Sequence, residues 1–517
     1  MSSESAPTPA RRIADGYAVQ GQALELGTVV VDGEADPSAQ IRIPLATVNR
    51  HGLVAGATGT GKTKTLQLIA EQLSAAGVPV LMADVKGDLS GLSKPGEAND
   101  KTTARAKDTG DDWKASGFPV EFLSLGTNGI GVPIRATIDS FGPVLLSKVL
   151  GLNATQESTL GLIFHWAKDQ NRPLVTTDHL RGAISYLTSD EGKEALKSLG
   201  GVSATTAGVI LRALVNLDAE GGDTFFGEPK LDPNDLLRNN GQGQGIISLL
   251  EFTGQSVRPV IFSTFLMWLL ADLYTQLPEV GDIDKPKLVF FFDEAHLLFA
   301  DASKAFLEQV EQTVKLIRSK GVGVFFCTQL PTDIPNDILS QLGARVQHAL
   351  RAFTPDDQKA LSRTVRTYPK TDVYDLESAL TSLGIGEAVV TVLSEKGAPT
   401  PVAWTRMRVP RSLMASIGTD AIAAAAKSSP LQAEYGQTKE SRPVPDLPAQ
   451  GGRPADQASP APGAPADFDL PPMPEPFEPK GPGLLEEVLK NPTVKSGINT
   501  AIREVVRSMF GSGRRRK

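Results

Sequence analysis

Cysteine, long apolar runs and an excess of positive charge are all missing from this sequence, and each shortage excludes a class of protein. Cys327 is the single cysteine in 517 residues, so one chain can form neither a disulfide nor a cysteine-based metal site. It lies in the apolar run of residues 323–327, which predicts a buried core residue rather than a nucleophile.

Segments that target a protein to a membrane, or anchor it there, are also missing. Residues 1–15 contain no apolar stretch of the kind found in secretory signals. The longest apolar stretch, residues 260–271, includes Ser263 and Thr264 and is shorter than the roughly 20 residues that a membrane span needs. We therefore expect a cytoplasmic protein with no membrane span.

The charge balance is acidic, since 52 lysines and arginines face 59 aspartates and glutamates for a net charge of -7. This balance excludes a generally basic coat for nucleic acid. A motor can nevertheless confine its DNA contacts to a local basic surface in a central pore. Net charge therefore leaves a DNA-binding function open.

The most informative feature present is G-A-T-G-T-G-K-T at residues 56–63, which fits the phosphate-binding pattern G-x-x-x-x-G-K-[ST]. An apolar strand end precedes it, and a helical pattern follows it over residues 64–76. Glycine lets the backbone wrap closely around phosphate oxygens, next to the positive end of the helix. The predicted nucleotide-binding residues of this segment are Gly56, Ala57, Thr58, Gly59, Thr60, Gly61, Lys62, Thr63 and Thr65.

The second part of the predicted site follows the apolar run of residues 288–292, which reads as a buried strand. Asp293 comes directly after it and is expected to hold Mg²⁺ together with Thr63, while Lys62 bridges the β- and γ-phosphates of ATP. Glu294 is expected to polarise the attacking water. His296 has two readings, as a sensor of the nucleotide state or as a packing residue at the helix start.

Two more polar residues end apolar strands, where ligands bind in open α/β sheets. Gln329 follows the strand predicted over residues 322–327 and is our candidate sensor of the γ-phosphate, the alternative being a turn residue. Asp84 ends the strand predicted over residues 78–83, which places it near the nucleotide without defining its role.

The chain divides by composition into a small β element (residues 1–45), an α/β domain (46–415), a Pro/Ala-rich linker (428–482) and an amphipathic, basic tail (483–517). Alternating strands and helices in the α/β domain predict a mainly parallel sheet. Residues 142–217 read as a helical insertion, and residues 221–245, with Phe225 and Phe226, as a long loop. The tail either docks on its own or a neighbouring subunit, or contacts nucleic acid or a membrane surface.

The motifs, taken in order, resemble the HerA/FtsK superfamily of P-loop motor ATPases, and most closely its HerA-like bacterial helicase-domain branch. Besides the phosphate loop, the resemblance rests on D-V-K-G-D (84–88), F-F-F-D-E-A-H (290–296), I-R-S-K-G (317–321) and C-T-Q-L-P-T-D-I-P (327–335). It covers roughly residues 48–403. It implies a RecA-like P-loop NTPase core that uses ATP and Mg²⁺, a hexameric ring and translocation of DNA through a central pore.

The resemblance also implies arginines that act on the neighbouring subunit's nucleotide. Arg318 fits the superfamily's Arg-x-x-Gly before the sensor strand, and Arg50 is placed like a second arginine that precedes the phosphate-loop strand. Arg345 and Arg351 are reserve candidates. A guanidinium delivered in trans stabilises charge on the γ-phosphoryl group.

The sequence departs from this family at its beginning, because residues 1–45 are too few for the N-terminal β-barrel with which HerA proteins bind a nuclease. A nuclease partner is therefore doubtful.

A DNA translocase is the leading function. A protein-remodelling or secretion-type motor and a slow nucleotide-dependent assembly switch stay open, and aromatic pore loops that include Phe225 and Phe226 would favour the protein motor.

Overall fold

One mixed β-sheet organises the computed structural model, which describes residues 8–252, 259–281, 283–299 and 304–437. The sheet has 12 strands in the order β2-β1-β12-β11-β10-β3-β9-β8-β4-β7-β5-β6. The strands are β1 (Ala23–Val31), β2 (Glu34–Pro44), β3 (Gly52–Ala55), β4 (Val80–Asp84), β5 (Val120–Leu125), β6 (Val132–Ile134), β7 (Ile247–Glu251), β8 (Leu288–Phe292), β9 (Val322–Thr328), β10 (Ala344–Gln347), β11 (Glu387–Thr391) and β12 (Ala403–Met407).

The sheet has a parallel part and an antiparallel part. All neighbours from β10 to β6 pair in parallel, which aligns the carboxyl ends of these strands along one edge. The remaining strands, β11, β12, β1 and β2, pair antiparallel beside β10. The predicted α/β class with a mainly parallel sheet is confirmed, and the N-terminal β element extends this same sheet.

Helices lie on both sides of the sheet and in its connections. They are α1 (Pro9–Asp15), α2 (Lys62–Ala75), α3 (Asp100–Thr109), α4 (Ile138–Val149), α5 (Ala154–Asp169), α6 (Thr177–Thr188), α7 (Ala204–Ala219), α8 (Gly222–Phe225), α9 (Pro259–Gln276), α10 (His296–Phe299), α11 (Lys304–Ile317), α12 (Asn336–Leu339), α13 (Pro355–Val365), α14 (Leu376–Ser382), α15 (Thr419–Ser428) and α16 (Gln432–Tyr435). Short 3₁₀ helices occupy Leu45–Arg50, Ser90–Ser93, Lys193–Leu199, Pro233–Leu237, Arg318–Lys320 and Pro331–Asp333. No helix of the described ranges is long and apolar enough to cross a membrane.

The two faces of the sheet bury separate apolar clusters, and β8 shows why its sequence is apolar throughout. Phe290 and Phe292 pack into the cluster on one face, while Val289 and Phe291 pack into the cluster on the other. A strand covered on both faces needs no polar alternation. Cys327 is fully buried in the second cluster, as its apolar run predicts.

The segment between β6 and β7 contains the four longer helices α4 to α7. The segment predicted as a loop over residues 221–245 begins with the short helix α8, at whose end Phe225 and Phe226 are 1% and 2% exposed. Their rings meet edge to face, and Phe226 also contacts Phe141. These two aromatic side chains belong to the core and cannot line a pore.

The linker predicted over residues 428–482 begins before the folded part of the chain ends, because α16 (Gln432–Tyr435) lies within it. Leu431 and Tyr435 are buried, and the Tyr435 hydroxyl donates a 2.6 Å hydrogen bond to the Asp235 carboxylate. Their spacing of four places both on one side of the chain's last described turns, a local pattern that the Pro-rich composition after Ser428 obscures. The rest of the predicted linker and the predicted tail lie outside the described residues.

Candidate nucleotide-binding site

The phosphate loop connects the carboxyl end of β3 to α2, at the edge where the parallel strands end. Gly56 has a φ of 151°, and a Cβ there would lie 2.6 Å from the His348 Cβ, so the loop approaches β10 too closely for a side chain. Gly59 has a φ of 81° with nothing within 4 Å of the position of a Cβ. The first glycine permits close packing, and the second keeps the mouth of the loop open.

Lys62 and Thr63 begin α2, where backbone N–H groups without helical partners point at the loop. Lys62 is 7% exposed, and its ammonium donates a 3.2 Å hydrogen bond to the Ala57 carbonyl across the loop. A phosphate bound in this cradle would meet amide donors, the positive end of a helix and a lysine.

Asp293 follows β8, which is separated from β3 by the single strand β9. One carboxylate oxygen accepts the Glu294 N–H at 2.9 Å, while the other, Oδ2, is buried and receives no N–H or hydroxyl donor. The only other donor to this carboxylate among the described residues is the weakly donating thiol of Cys327. Burial raises the pKa of the Asp293 carboxyl. A cation would satisfy this oxygen, so the site fits Mg²⁺.

Magnesium typically takes one or two protein ligands and completes its shell with water and substrate phosphates. Thr63, at the start of α2, and Asp293 suit this arrangement. Within the described part of the chain, no group of three or more His, Cys, Asp and Glu side chains forms a metal site of its own. Water and the phosphates of a nucleotide would therefore complete the shell.

Glu294 is 6% exposed and has a φ of 50°, a left-handed backbone conformation that non-glycine residues rarely adopt. Its carboxylate forms an ion pair with Lys86, and the Nδ1 atom of His296 lies 3.3 Å from its Oε2. Although burial opposes it, the contact with Glu294 raises the pKa of Lys86. The buried acid is thus held beside two basic side chains.

Asp84 explains how Lys86 reaches this acid. Its carboxylate accepts hydrogen bonds from the N–H groups of Gly87 and Leu89 at 2.7 and 2.8 Å, which folds the loop after β4 into a tight turn. Burial raises the pKa of Asp84 to about 6, against the effect of these bonds. The structure places Asp84 at the predicted edge but uses both of its oxygens to shape the Lys86 loop.

Gln329 lies at the end of β9, between the strands of the phosphate loop and of Asp293, and its side chain is exposed. The following turn is closed by Asp333, whose carboxylate accepts hydrogen bonds from the Thr328 hydroxyl at 2.6 Å and the Leu330 N–H at 3.0 Å. This closed turn presents the Gln329 amide at the carboxyl edge.

His348 is a residue of the site that the sequence analysis does not predict. It follows β10, which pairs with β3 on the side opposite β9. Its Nε2 lies 2.9 Å from the Thr65 hydroxyl and its Nδ1 lies 2.8 Å from the Glu387 carbonyl oxygen. Burial lowers the pKa of His348 to about 4, so the ring is neutral at pH 7. Thr65, predicted to contact the nucleotide, is buried and directs its hydroxyl to this histidine.

Arg50, Arg318 and Arg345 line one cavity of about 470 Å³, together with His51 and Tyr368. Arg50 precedes β3 and Arg318 precedes β9, so the cavity lies at the amino-terminal edge of the parallel strands. The length of β3, four residues at about 3.3 Å each, separates Arg50 from its own phosphate loop.

The fourth arginine lies at the opposite edge. Arg351 donates a 3.4 Å hydrogen bond to the Thr58 carbonyl oxygen of its own phosphate loop. The structure therefore groups Arg50, Arg318 and Arg345 away from the chain's own nucleotide site and brings Arg351 to it.

Comparison with known proteins agrees with this geometry. The sequence model of a family described as helicase HerA-like C-terminal matches residues 30–517. This match confirms the resemblance that the motifs predict. No curated protein sequence matches the chain.

Among solved structures, the fold is similar to that of the bacterial conjugative coupling protein TrwB. The unbound form is 16% identical, with a TM-score of 0.51 over 80% of this chain and 94% of that one. TrwB in complex with the GTP analogue GDPNP gives a TM-score of 0.52 at 16% identity, over 79% and 94%. TrwB in complex with ADP and Mg²⁺ gives 0.51 at 16% identity, over 79% and 93%. At this identity the likeness shows the RecA-type fold alone.

Proposed function

Because the chain belongs to the helicase HerA-like C-terminal family of P-loop ATPases, we propose that it is a Mg²⁺-dependent ring motor that hydrolyses ATP to move DNA. The observation that carries this proposal is the division of the site between two edges of one sheet. The phosphate loop, Asp293 and Glu294 lie at the carboxyl edge, and three arginines share a cavity at the other.

The residues of the carboxyl edge divide the reaction between them. The loop amides and Lys62 would hold the β- and γ-phosphates, and Thr63 and Asp293 would hold Mg²⁺, which would neutralise charge on these phosphates. Glu294 accepts a proton from the attacking water, and Gln329 orients that water and responds to loss of the γ-phosphate. The ion pair with Lys86 fixes the position of the Glu294 carboxylate.

The arginines of the amino-terminal edge complete the site of a neighbouring subunit. Arg50 and Arg318 precede β3 and β9, so the full length of β3 separates both of them from their own phosphate loop. Chains joined head to tail, with the arginine edge of one against the nucleotide edge of the next, form a ring when the rotation closes. We take this ring to be a hexamer, as the family resemblance implies.

DNA is the favoured substrate over polypeptide. The sequence feature that would have favoured a protein motor was an aromatic loop with Phe225 and Phe226, and both side chains are buried in the core. The helicase family supports DNA. The strands β1 and β2 extend the ATPase sheet, so they offer no argument for a nuclease partner.

The substrate is tested by the rate of ATP hydrolysis with and without duplex and single-stranded DNA across a salt series. A DNA motor contacts phosphates, so stimulation should appear at low salt, survive changes of base sequence and weaken steeply as counterions compete. For duplex DNA, log K should fall against log salt with a slope of about -0.9 for each phosphate contacted. If neither DNA alters turnover or binds at low salt, the translocase proposal fails and the protein motor or the switch replaces it.

A further inference from the structure

The two most exposed large apolar side chains of the described residues are Phe353, at 83%, and Ile385, at 77%. Other exposed apolar side chains, such as Val144 and Val215, are 53 to 55% exposed and lie in the helical insertion. Single exposed apolar side chains are common on protein surfaces, whereas exposed apolar side chains that border one site mark a surface for a ligand.

Both side chains lie next to the phosphate loop, each tied to it by a hydrogen bond of a near neighbour. Two residues before Phe353, Arg351 donates to the Thr58 carbonyl oxygen at 3.4 Å. One residue after Ile385, the Gly386 N–H donates to the Thr60 carbonyl oxygen at 3.0 Å. The two backbone segments that carry Phe353 and Ile385 therefore lie against the phosphate loop.

Neither segment depends on a ligand for its backbone position. The Arg105 guanidinium donates to the carbonyl oxygens of Ile385 and Gly386 at 3.0 and 2.9 Å. Thr354, which follows Phe353, starts α13 with reciprocal hydrogen bonds to Asp357. These hydrogen bonds set the backbone positions of Phe353 and Ile385 before anything binds.

The order of the strands determines which part of a bound nucleotide lies near Phe353 and Ile385. Asp293 and Glu294 follow β8, which lies on one side of β3, so the γ-phosphate and its Mg²⁺ point to that side. A triphosphate is an extended chain, so the sugar and base leave the loop on the opposite side. There the carboxyl end of β10 leads to Phe353, and Ile385 precedes the antiparallel β11.

We propose that Phe353 and Ile385 form the nucleobase site of the phosphate loop, with the Phe353 ring stacked on the base and Ile385 against it. This inference rests on the proposed nucleotide binding and names the side chains that contact the base. Stacking of a base on an aromatic ring is worth about 1–3 kcal/mol by alanine substitution, and every base has a face to offer.

The test compares a ligand that has a base with one that has none. Titration calorimetry in Mg²⁺ would measure the affinities of the wild-type chain and of Phe353→Ala for the non-hydrolysable ATP analogue ADPNP and for inorganic tripolyphosphate. The substitution should weaken ADPNP about 5- to 150-fold, which is the stacking energy expressed as a ratio of affinities. The affinity for tripolyphosphate should stay unchanged, and Ile385→Ser should show the same pattern more weakly.

Two variants serve as controls. Phe353→Tyr keeps the ring and should bind ADPNP like the wild type, and Val215→Ala removes an exposed apolar side chain of α7 without effect. The inference is overturned if Phe353→Ala leaves ADPNP binding unchanged, weakens both ligands equally, or alters only the sedimentation of the assembly, which would make this surface a subunit contact. A wild-type chain that binds neither ligand would instead refute the proposed nucleotide binding itself.

Discussion

Replacing Glu294 with glutamine is expected to lower the rate of ATP hydrolysis about 10²- to 10⁴-fold, which is the usual contribution of a positioned general base. Glutamine has nearly the same shape but cannot accept the proton of the attacking water. The phosphate loop and Asp293 are untouched, so the affinity for ATP in Mg²⁺ should stay within a few-fold of the wild type. Turnover and nucleotide binding, measured on the same preparation, check this directly.

A matched control is Glu194→Gln, which removes an exposed carboxylate of an ion pair with Lys197 in the helical insertion. Such exposed pairs contribute little to stability, and this variant should hydrolyse ATP like the wild type. Unchanged turnover in Glu294→Gln would remove this residue from the mechanism. Equal loss of binding and turnover would show that the substitution disturbs the phosphate loop instead.

Substituting Arg318 with alanine is expected to reduce turnover about 10³- to 10⁵-fold, as loss of an arginine finger does in other P-loop enzymes. Arg318 lies at the sheet edge opposite its own phosphate loop, so the loss should fall on the neighbouring subunit. Arg318→Ala subunits keep Glu294, and Glu294→Gln subunits keep Arg318. Mixing the two inactive variants should therefore restore activity at about a quarter of the interfaces of a randomly mixed head-to-tail ring.

Complementation distinguishes a shared site from a structural role of the arginine. An Arg318→Ala chain that is merely misfolded, or a site contained within one subunit, would give a mixture as inactive as its components. Arg12→Ala is a suitable control, since Arg12 is an exposed arginine of α1 and its loss should leave turnover unchanged. Arg50→Ala, in the same cavity as Arg318, should behave like Arg318→Ala if both arginines reach the neighbouring nucleotide.

The parts of the site that the sequence predicts are those made by contiguous residues. A phosphate loop needs a strand, a glycine-rich turn and a helix in succession, and residues 52–75 supply all three. Asp293 ends a run so apolar that only a buried strand explains it. Parallel strands place their carboxyl ends along one edge, and this rule alone brings these two segments to the same side of the sheet.

The parts that the sequence does not predict depend on which strands become neighbours. Lys86 contacts Glu294 because β4 and β8 pair, and His348 contacts Thr65 because β10 and β3 pair. No local pattern in either segment records that pairing. The grouping of Arg50 with Arg318 and Arg345 follows from the same strand order. Each of these arginines lies before or early in a parallel strand, and this position alone predicts that all three lie at the amino-terminal edge of the sheet.

Composition misled the prediction at two places for a common reason. A Gly- and Asp-rich segment around Phe225 and Phe226, and a Pro-rich segment after Ser428, both contain a few apolar residues that bury deeply. Two aromatic side chains, or one Leu–Tyr pair, bury enough apolar surface to pack a short segment against a core. An average over the segment hides such anchors.

Steady-state ATP hydrolysis, measured per subunit against protein concentration, tests the central claim that neighbouring chains share an active site. The measurement uses the wild-type chain in Mg²⁺ and in EDTA, with Lys62→Ala as the control that loses the phosphate cradle. We expect turnover that requires Mg²⁺, rises with concentration to a plateau as rings assemble, and is absent in Lys62→Ala. Turnover per subunit that stays constant down to concentrations at which sedimentation shows monomers, or that persists in Lys62→Ala, would contradict the account.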